Sequence, residues 1–534
     1  MAPQSTSRIF GLSREIMESP DSSVVYEDWA ARYGPVYEIP VVFGRKKFVL
    51  TDPKALVHFY QSERSVYVRT AIADFLSGKL YFGRGVLWAE GDMHKRQRKA
   101  LTPAFSNAAI RRLTAVFYNS TYKLKSFWDP TLESAPDGAI IEVQEWMNRI
   151  ALDSIGIAGF SHDFRYLEGQ QSAVTTAFES LQATRTTFLS ELIFMLAFTF
   201  PFLLSIPTPR MRLFWELRRS LNVIAERLLA KTRDEQENNV AEGLTDKSVI
   251  GLLLKAEVPD AELYMTQEEV VAQVQCSPFG RWVQRISLSN FANPNLPGYE
   301  TTSVSLTWAL IELARHPEMQ DKLREELTRF GPGDPTWDQL VSELHYLDAL
   351  VLEVLRMYPP LPEALREAAQ DDVIPLGTPI VTPSGELVSS IAIAKGSVIL
   401  APTRCINRSE ALWGPDAKEF KPERWFEVKK EMKFPAKDLQ GHHHLLTFHD
   451  GPRTCLGKSF ALAARHFIVQ FLISHPRRNS QEYKAALFVL VRNFVFEFPD
   501  GPGTKIETHT TIIPRPKVVG QSGAKVPLRV GRVE

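Results

Sequence analysis

The chain has 534 residues, 44% of them hydrophobic, enough apolar side chains for a large buried core. Lys+Arg and Asp+Glu both number 62, so the formal charge is zero. With no long run of one sign, nothing in the sequence looks like a nucleic-acid binder. The three cysteines, Cys276, Cys405 and Cys455, are too few and too odd in number for a disulfide framework. That points to a reducing compartment and leaves a thiol free for chemistry.

Residues 1–30 contain neither a signal-peptide apolar region nor the roughly 20 apolar residues that span a bilayer, so no N-terminal anchor is expected. Val36 to Ile39 and Lys47 to Leu50, flanked by Gly34-Pro35 and Asp52-Pro53, predict a small sheet. From there to about residue 355 the pattern is mostly helical. Within Ala89 to Phe105, His94 and Arg98 are four apart and share one helical face. Lys95, Arg96 and Lys99 beside them read either as a solvated face or as a basic surface that would suit an acidic electron-donor protein.

Leu192 to Ile206 (LIFMLAFTFPFLLSI) is almost wholly apolar, but it is short and Pro201 interrupts it. It reads as a buried or surface-dipping element and is the one candidate membrane contact. Thr302 to Leu313 is apolar nearly all round, as in a helix buried in a core, and closes near Arg315-His316 before Pro317 opens another helix. At its head stand Glu300 and Thr301. Alone, such a pair is most often a helix cap. A third helix is expected from Trp337 to Tyr358, stopped by Pro359-Pro360. It carries Glu353 and Arg356, which share a face and can pair. Gly377 to Leu400 and Phe488 to Ile513 have turn residues between short β-rich runs. The fold class is mainly α with small β-sheets (α+β), as one domain over residues 1–534.

The most informative stretch is Phe448 to Gly457, FHDGPRTCLG. A thiolate that ligates a metal must lie on a loop that brings backbone close to the ligand. Gly451 and Gly457 remove side chains on either side of Cys455, and Arg453 supplies a fixed positive charge that can meet a carboxylate. The run His442-His443-His444 looks metal-like, but adjacent residues cannot all turn to one ion, and a loop is the better reading.

The Phe448 to Gly457 segment resembles the haem-binding loop of the cytochrome P-450 family, Phe-x-x-Gly-x-Arg-x-Cys-x-Gly. The resemblance implies a long central helix over the haem with the cysteine loop beneath. It makes Cys455 the axial ligand of the iron of haem b, on a loop shaped by Phe448, Gly451 and Gly457. Arg453, His94, Arg98 and Arg366, ten residues after Arg356, would contact the haem propionates. Glu353, Arg356 and the Arg424 of FKPERW would form a structural triad that holds its helix beside the cysteine loop. Oxygen activation needs protons delivered into a dry pocket, and by resemblance Glu300 and Thr301 relay them.

The activity so implied is insertion of one oxygen atom from O2 into an apolar organic substrate, with electrons from NADPH through NADPH-cytochrome P-450 reductase and cytochrome b5 as a second donor. Tyr67 to Tyr81, Pro359 to Leu365 and Thr508 to Ile512 are the pocket candidates. The FKPERW region and chain layout are most like eukaryotic, particularly fungal, microsomal members, which implies the cytosolic face of the endoplasmic reticulum membrane. The family pattern breaks at the missing anchor and at two stretches read as insertions, about 276–297 and 463–481. Two alternatives follow: a haem-free, impaired chain, or a haem-thiolate isomerase or dehydratase that needs no reductase.

Overall fold

The computed structural model describes residues 10–19, 21–81, 83–160, 162–170, 200–237, 248–276, 297–331, 333–382, 384–428, 434–458, 482–509 and 513–533, besides a few isolated positions. Both expected insertions lie almost wholly outside these residues.

Strands β1 (Val36–Pro40) and β2 (Lys46–Leu50) form the predicted antiparallel pair. They join strands from far along the chain in a five-stranded sheet of order β1-β2-β8-β5-β3, with β3 (Tyr67–Val68), β5 (Ala364–Ala368) and β8 (Val398–Ala401). Three small sheets complete the strands: β6 (Asp372–Val381) with β7 (Leu387–Ile393), β10 (Ile506–His509) with β11 (Arg515–Val518), and β4 (Ala139–Glu142) with β12 (Pro527–Arg532) and β9 (Phe494–Glu497).

Between the sheets the chain is helical. The central helix runs Pro297–Arg315, with the proline at its first position, where a missing N–H costs nothing. Its apolar side chains, among them Val304, Leu306, Leu310 and Leu313, are almost fully buried, each contributing roughly 1.5–3 kcal/mol of transfer free energy. The following helix, Pro317–Thr328, opens at Pro317 as expected.

Two expectations need correction. The helix expected over Trp337 to Tyr358 is two helices, Trp337–Ser342 and His345–Met357. The break arises because the Glu326 carboxylate accepts from the amides of Tyr346 (2.7 Å) and Leu347 (2.9 Å), so a side chain from another helix caps a new N-terminus. Phe488 to Asn493, expected in a β-rich run, closes a helix, Glu482–Asn493, whose residues Ala485 to Val491 are all buried. A short apolar run buried on every side has no period that separates strand from helix. No helix among the described residues is long and apolar enough to cross a membrane.

Candidate functional site

The cysteine loop is closed by its own backbone. The Cys455 amide donates to the Phe448 carbonyl (2.9 Å), and a single 3-10 turn, Gly451–Arg453, lies between them, capped by the Asp450 carboxylate on the Gly451 amide (2.7 Å). Gly451 has φ +63°, and a Cβ there would lie 2.3 Å from the Tyr60 carbonyl oxygen, so only glycine fits. Among the described residues, a Cβ on Gly457 would meet only Cys455 Sγ, at 3.7 Å. Cys455 is half-buried and free, whereas Cys405 is buried, with its thiol pushed far up by desolvation. The Cys276 side chain lies outside the described residues.

Beside this loop the fold collects arginines. Arg453 pairs with the Glu90 carboxylate and donates to the Ala89 carbonyl (3.1 Å). Glu90 also meets Arg69 Nη1 at 3.1 Å. Arg366, fully buried on β5, stands 3.1 Å from Glu63, whose other oxygen is 2.6 Å from His449 Nε2. Burial alone would raise the Glu63 carboxyl, but Arg366 and His449 outweigh it and hold it below its ordinary value. His94 and Arg98 approach from the helix Gly91–Leu101. Burial first, then the charges of Arg453, Arg98, Arg69 and Arg366, push His94 down to about 3, so its imidazole is neutral at physiological pH. Burial and repulsion from Arg453 and Arg366 outweigh Glu90 and bring Arg69 down to about 10.

This cluster has donors to spare. Arg366 Nη2 and Arg453 Nε are buried with no hydrogen-bond acceptor among the described residues, and Arg98 has no ion-pair partner among them. A buried donor left unmade costs about 1–3 kcal/mol. Mutually repelling guanidinium groups with unused N–H bonds, next to a free cysteine, fit a ligand that carries carboxylates and a thiolate-binding metal.

Behind the loop, Glu353 and Arg356 on the helix His345–Met357 are fully buried and bidentate, at 2.9 and 2.7 Å. Glu353 also accepts from Trp425 Nε1 (3.0 Å) and the Lys421 amide (3.0 Å), with Arg424 Nε at 3.5 Å. Arg424 bonds more closely to Asp416 Oδ1, at 2.6 Å. Arg356 donates in addition to the carbonyls of Asn407, Ala417 and Glu419, which pins the segment leading into the cysteine loop.

The family profile described as cytochrome P-450 matches residues 3–279 and 291–475. The chain belongs to the cytochrome P-450 family. Two relatives from Ampulloclitocybe clavipes, the cytochrome P-450 monooxygenases claQ and claP, are each 52% identical over the whole chain and 92% of their own length. Cytochrome P-450 monooxygenase 205 of Postia placenta is 32% identical over 99% of this chain and 91% of its own. This cytochrome P-450 is therefore an oxygen-incorporating oxidoreductase, of a family that carries a haem iron and works with a redox partner, O2 and small molecules.

Other residues singled out in the sequence are placed as follows. Glu300 is in the first turn of the central helix, fully buried, with Arg515 Nε at 2.7 Å from its Oε1. Thr301 beside it is half-buried. Tyr67, at the start of the first pocket candidate, is buried, with its hydroxyl donating to Asp372 (2.6 Å) and its ring packed on Phe59 at 5.1 Å. Residues 510–512 of the third pocket candidate lie outside the described residues. The basic set by His94 is largely neutralised, since Arg96 pairs with Glu269 and Lys99 with Glu262. His443 packs edge-on to Trp425, and no group of three metal-ligating side chains is present among the described residues. Sequence reasoning missed Arg69, Glu63, Glu90 and Arg515. No motif marks them, and only the tertiary fold brings them to the site.

Proposed function

We propose that this cytochrome P-450 is a haem-thiolate monooxygenase that inserts one oxygen atom of O2 into an apolar organic substrate, with electrons from NADPH through a cytochrome P-450 reductase and cytochrome b5 as a second donor. The observation that carries the reading is the arginine cluster with unused buried donors beside Cys455. Cys455 would hold the iron of the haem, and its thiolate would supply the electron donation that favours O–O cleavage. Arg453, Arg366, Arg98 and neutral His94 would hold the two propionates, with Arg69 and Glu90 aiming Arg453. Phe448, Gly451 and Gly457 keep the loop close and thin. The Glu353, Arg356 and Arg424 triad holds that loop in register. Glu300 stores a proton and Thr301 passes it into the pocket, while the apolar faces around them exclude water.

The protein works at the cytosolic face of the endoplasmic reticulum membrane in this reading. Phe200, Phe202 and Ile206 are exposed together on the short turn Pro201–Ser205 and the residues on either side of it, with Trp215 exposed on the next helix. Such a patch suits shallow insertion among lipid headgroups.

The arginine cradle is tested by titrating haem-free protein with protohaem and with its dimethyl ester. Loss of two charge-assisted contacts, each worth about 1.5–3 kcal/mol, predicts ester binding weaker by a hundredfold or more. Equal affinity would remove propionate recognition from the account.

A further inference from the structure

The central helix carries a buried polar stripe. Glu300, Ser303 and Thr307 follow one another at i, i+3 and i+7 on one face, and all three are buried. Ser303 donates to Asn148 Oδ1 on the packed helix Val143–Phe160 (2.6 Å), and Thr307 donates to the Ser303 carbonyl (2.8 Å). A helix in an apolar core has no stability reason for such a stripe, because each polar group buried there costs free energy until it is bonded. At its head the charge is not balanced from within the helix. It is met by Arg515 on β11, 215 positions away in the chain.

β11 is one arm of a hairpin. Arg515 stands in register opposite His509 on β10, and Thr508 opposite Pro516. Ile513, two residues before Arg515, is fully buried and anchors the arm. Arg515 reaches Glu300 with its Nε at 2.7 Å, and the two side chains are 8% and 0% exposed. A buried ion pair is a weak stabiliser compared with apolar side chains of the same volume, so stability alone gives little reason for this one. It does fix the state of the carboxyl. A guanidinium in contact holds a buried carboxylate charged and turned toward the hairpin, whereas the same group without it takes up a proton.

We propose that Arg515 is the positioning residue of the proton relay: it sets both the ionisation and the aim of Glu300 from the hairpin that carries the substrate-pocket candidate Thr508. The proposal rests on the reading of Glu300 as the relay acid. In each delivery the O–H bond of the Glu300 carboxyl breaks and its proton passes to the Thr301 oxygen, while the Thr301 O–H bond breaks and that proton goes into the pocket. The carboxylate left behind is stabilised by Arg515 until water returns a proton. The pairing makes Glu300 a reluctant proton store at rest.

The test uses the full-length haem protein and four variants: Arg515→Met, Arg515→Lys, Glu300→Gln and the double variant Arg515→Met with Glu300→Gln. Infrared spectra in H2O and D2O at neutral pH read the carboxylic C=O stretch directly, independent of turnover. Removing a contacting charge shifts a carboxyl's protonation equilibrium by about ten- to a thousandfold. Arg515→Met is therefore expected to gain a deuterium-sensitive band that is absent in wild type and Arg515→Lys and is lost in the double variant. Absence of that band in Arg515→Met overturns the proposal. Where Arg515→Met does not fold, Arg515→Gln keeps a hydrogen-bond donor without the charge and is expected to show the same band.

Reductase-driven O2 consumption then separates the proposal from the reading beneath it. Loss of the acid is expected to cut the proton-limited rate of Glu300→Gln by about a hundredfold and to enlarge its solvent deuterium isotope effect. An unchanged rate and isotope effect in Glu300→Gln would refute the relay reading itself. A changed Glu300→Gln with no band in Arg515→Met leaves the relay standing and removes Arg515 from it.

Discussion

Arg356→Lys keeps the positive charge of a fully buried ion pair and removes only its geometry. Arg356 makes five N–H bonds to oxygen: two to Glu353 (2.9 and 2.7 Å) and one each to the carbonyls of Asn407 (2.9 Å), Ala417 (2.6 Å) and Glu419 (3.1 Å). A lysine ammonium has three donors at one point and cannot span these directions. At least two buried acceptors lose their donor, at about 1–3 kcal/mol each, and the bidentate pair becomes a single contact. The expected loss is about 3–5 kcal/mol, as when a buried pair is broken. The urea slope of a chain this long exceeds the roughly 1–3 kcal/mol/M of small proteins, so the unfolding midpoint falls by about 0.5–1 M. Arg424→Lys is the control. That guanidinium is 3.5 Å from Glu353 and bonds chiefly to the partly exposed Asp416, so less than half the loss is expected. The assay is urea unfolding followed by tryptophan fluorescence. An Arg356→Lys midpoint equal to wild type, or a larger loss in Arg424→Lys, refutes the reasoning.

Gly451→Ala places a Cβ 2.3 Å from the Tyr60 carbonyl oxygen at positive φ and is expected to abolish haem uptake. Gly457→Ala meets Cys455 Sγ at 3.7 Å, an ordinary van der Waals distance, and is expected to fold, with a shifted thiolate spectrum. Equal haem content in the two alanine variants would sink the comparison. His94, neutral when folded and held down to about 3, contributes stability that is complete above its unfolded value near 6.5. Below pH 6.5 the unfolded chain takes up a proton that the folded one refuses. Stability then falls by up to about 1.4 kcal/mol per pH unit until the pH nears 3. His94→Gln removes that slope, and an unchanged pH dependence of the haem-free protein's urea midpoint would contradict the assignment. Phe202→Asp is expected to weaken binding to liposomes without altering the haem spectrum, and unchanged liposome binding would remove the turn from the membrane contact.

What could be read in the sequence was what is local. The cysteine loop is ten consecutive residues whose glycines and arginine each have a stated reason, and the Glu353-Arg356 spacing is one helical turn. The first strand pair and the burial of the central helix followed from period and flanking turn residues. The break before His345 was not legible, because its cause, the Glu326 carboxylate, lies on another helix. Nor was the helical state of Phe488 to Asn493, since a run buried on all sides looks the same in either element. The same distinction governs the site. His94, Arg98, Arg366 and Arg453 stand at family spacings, whereas Arg69, Glu63 and Glu90 enter only through folding that joins β3, β5 and the cysteine loop. Arg515 reaches Glu300 across 215 positions, a pairing that no local pattern encodes.

The central claim, that Cys455 and the arginine cluster hold a thiolate-ligated haem, is tested most directly by the carbon monoxide difference spectrum of the reduced, purified protein. The account predicts a band at about 450 nm, as thiolate ligation would give, and its loss in Cys455→Ala. A band at about 420 nm, or none, in protein that has taken up haem would contradict it.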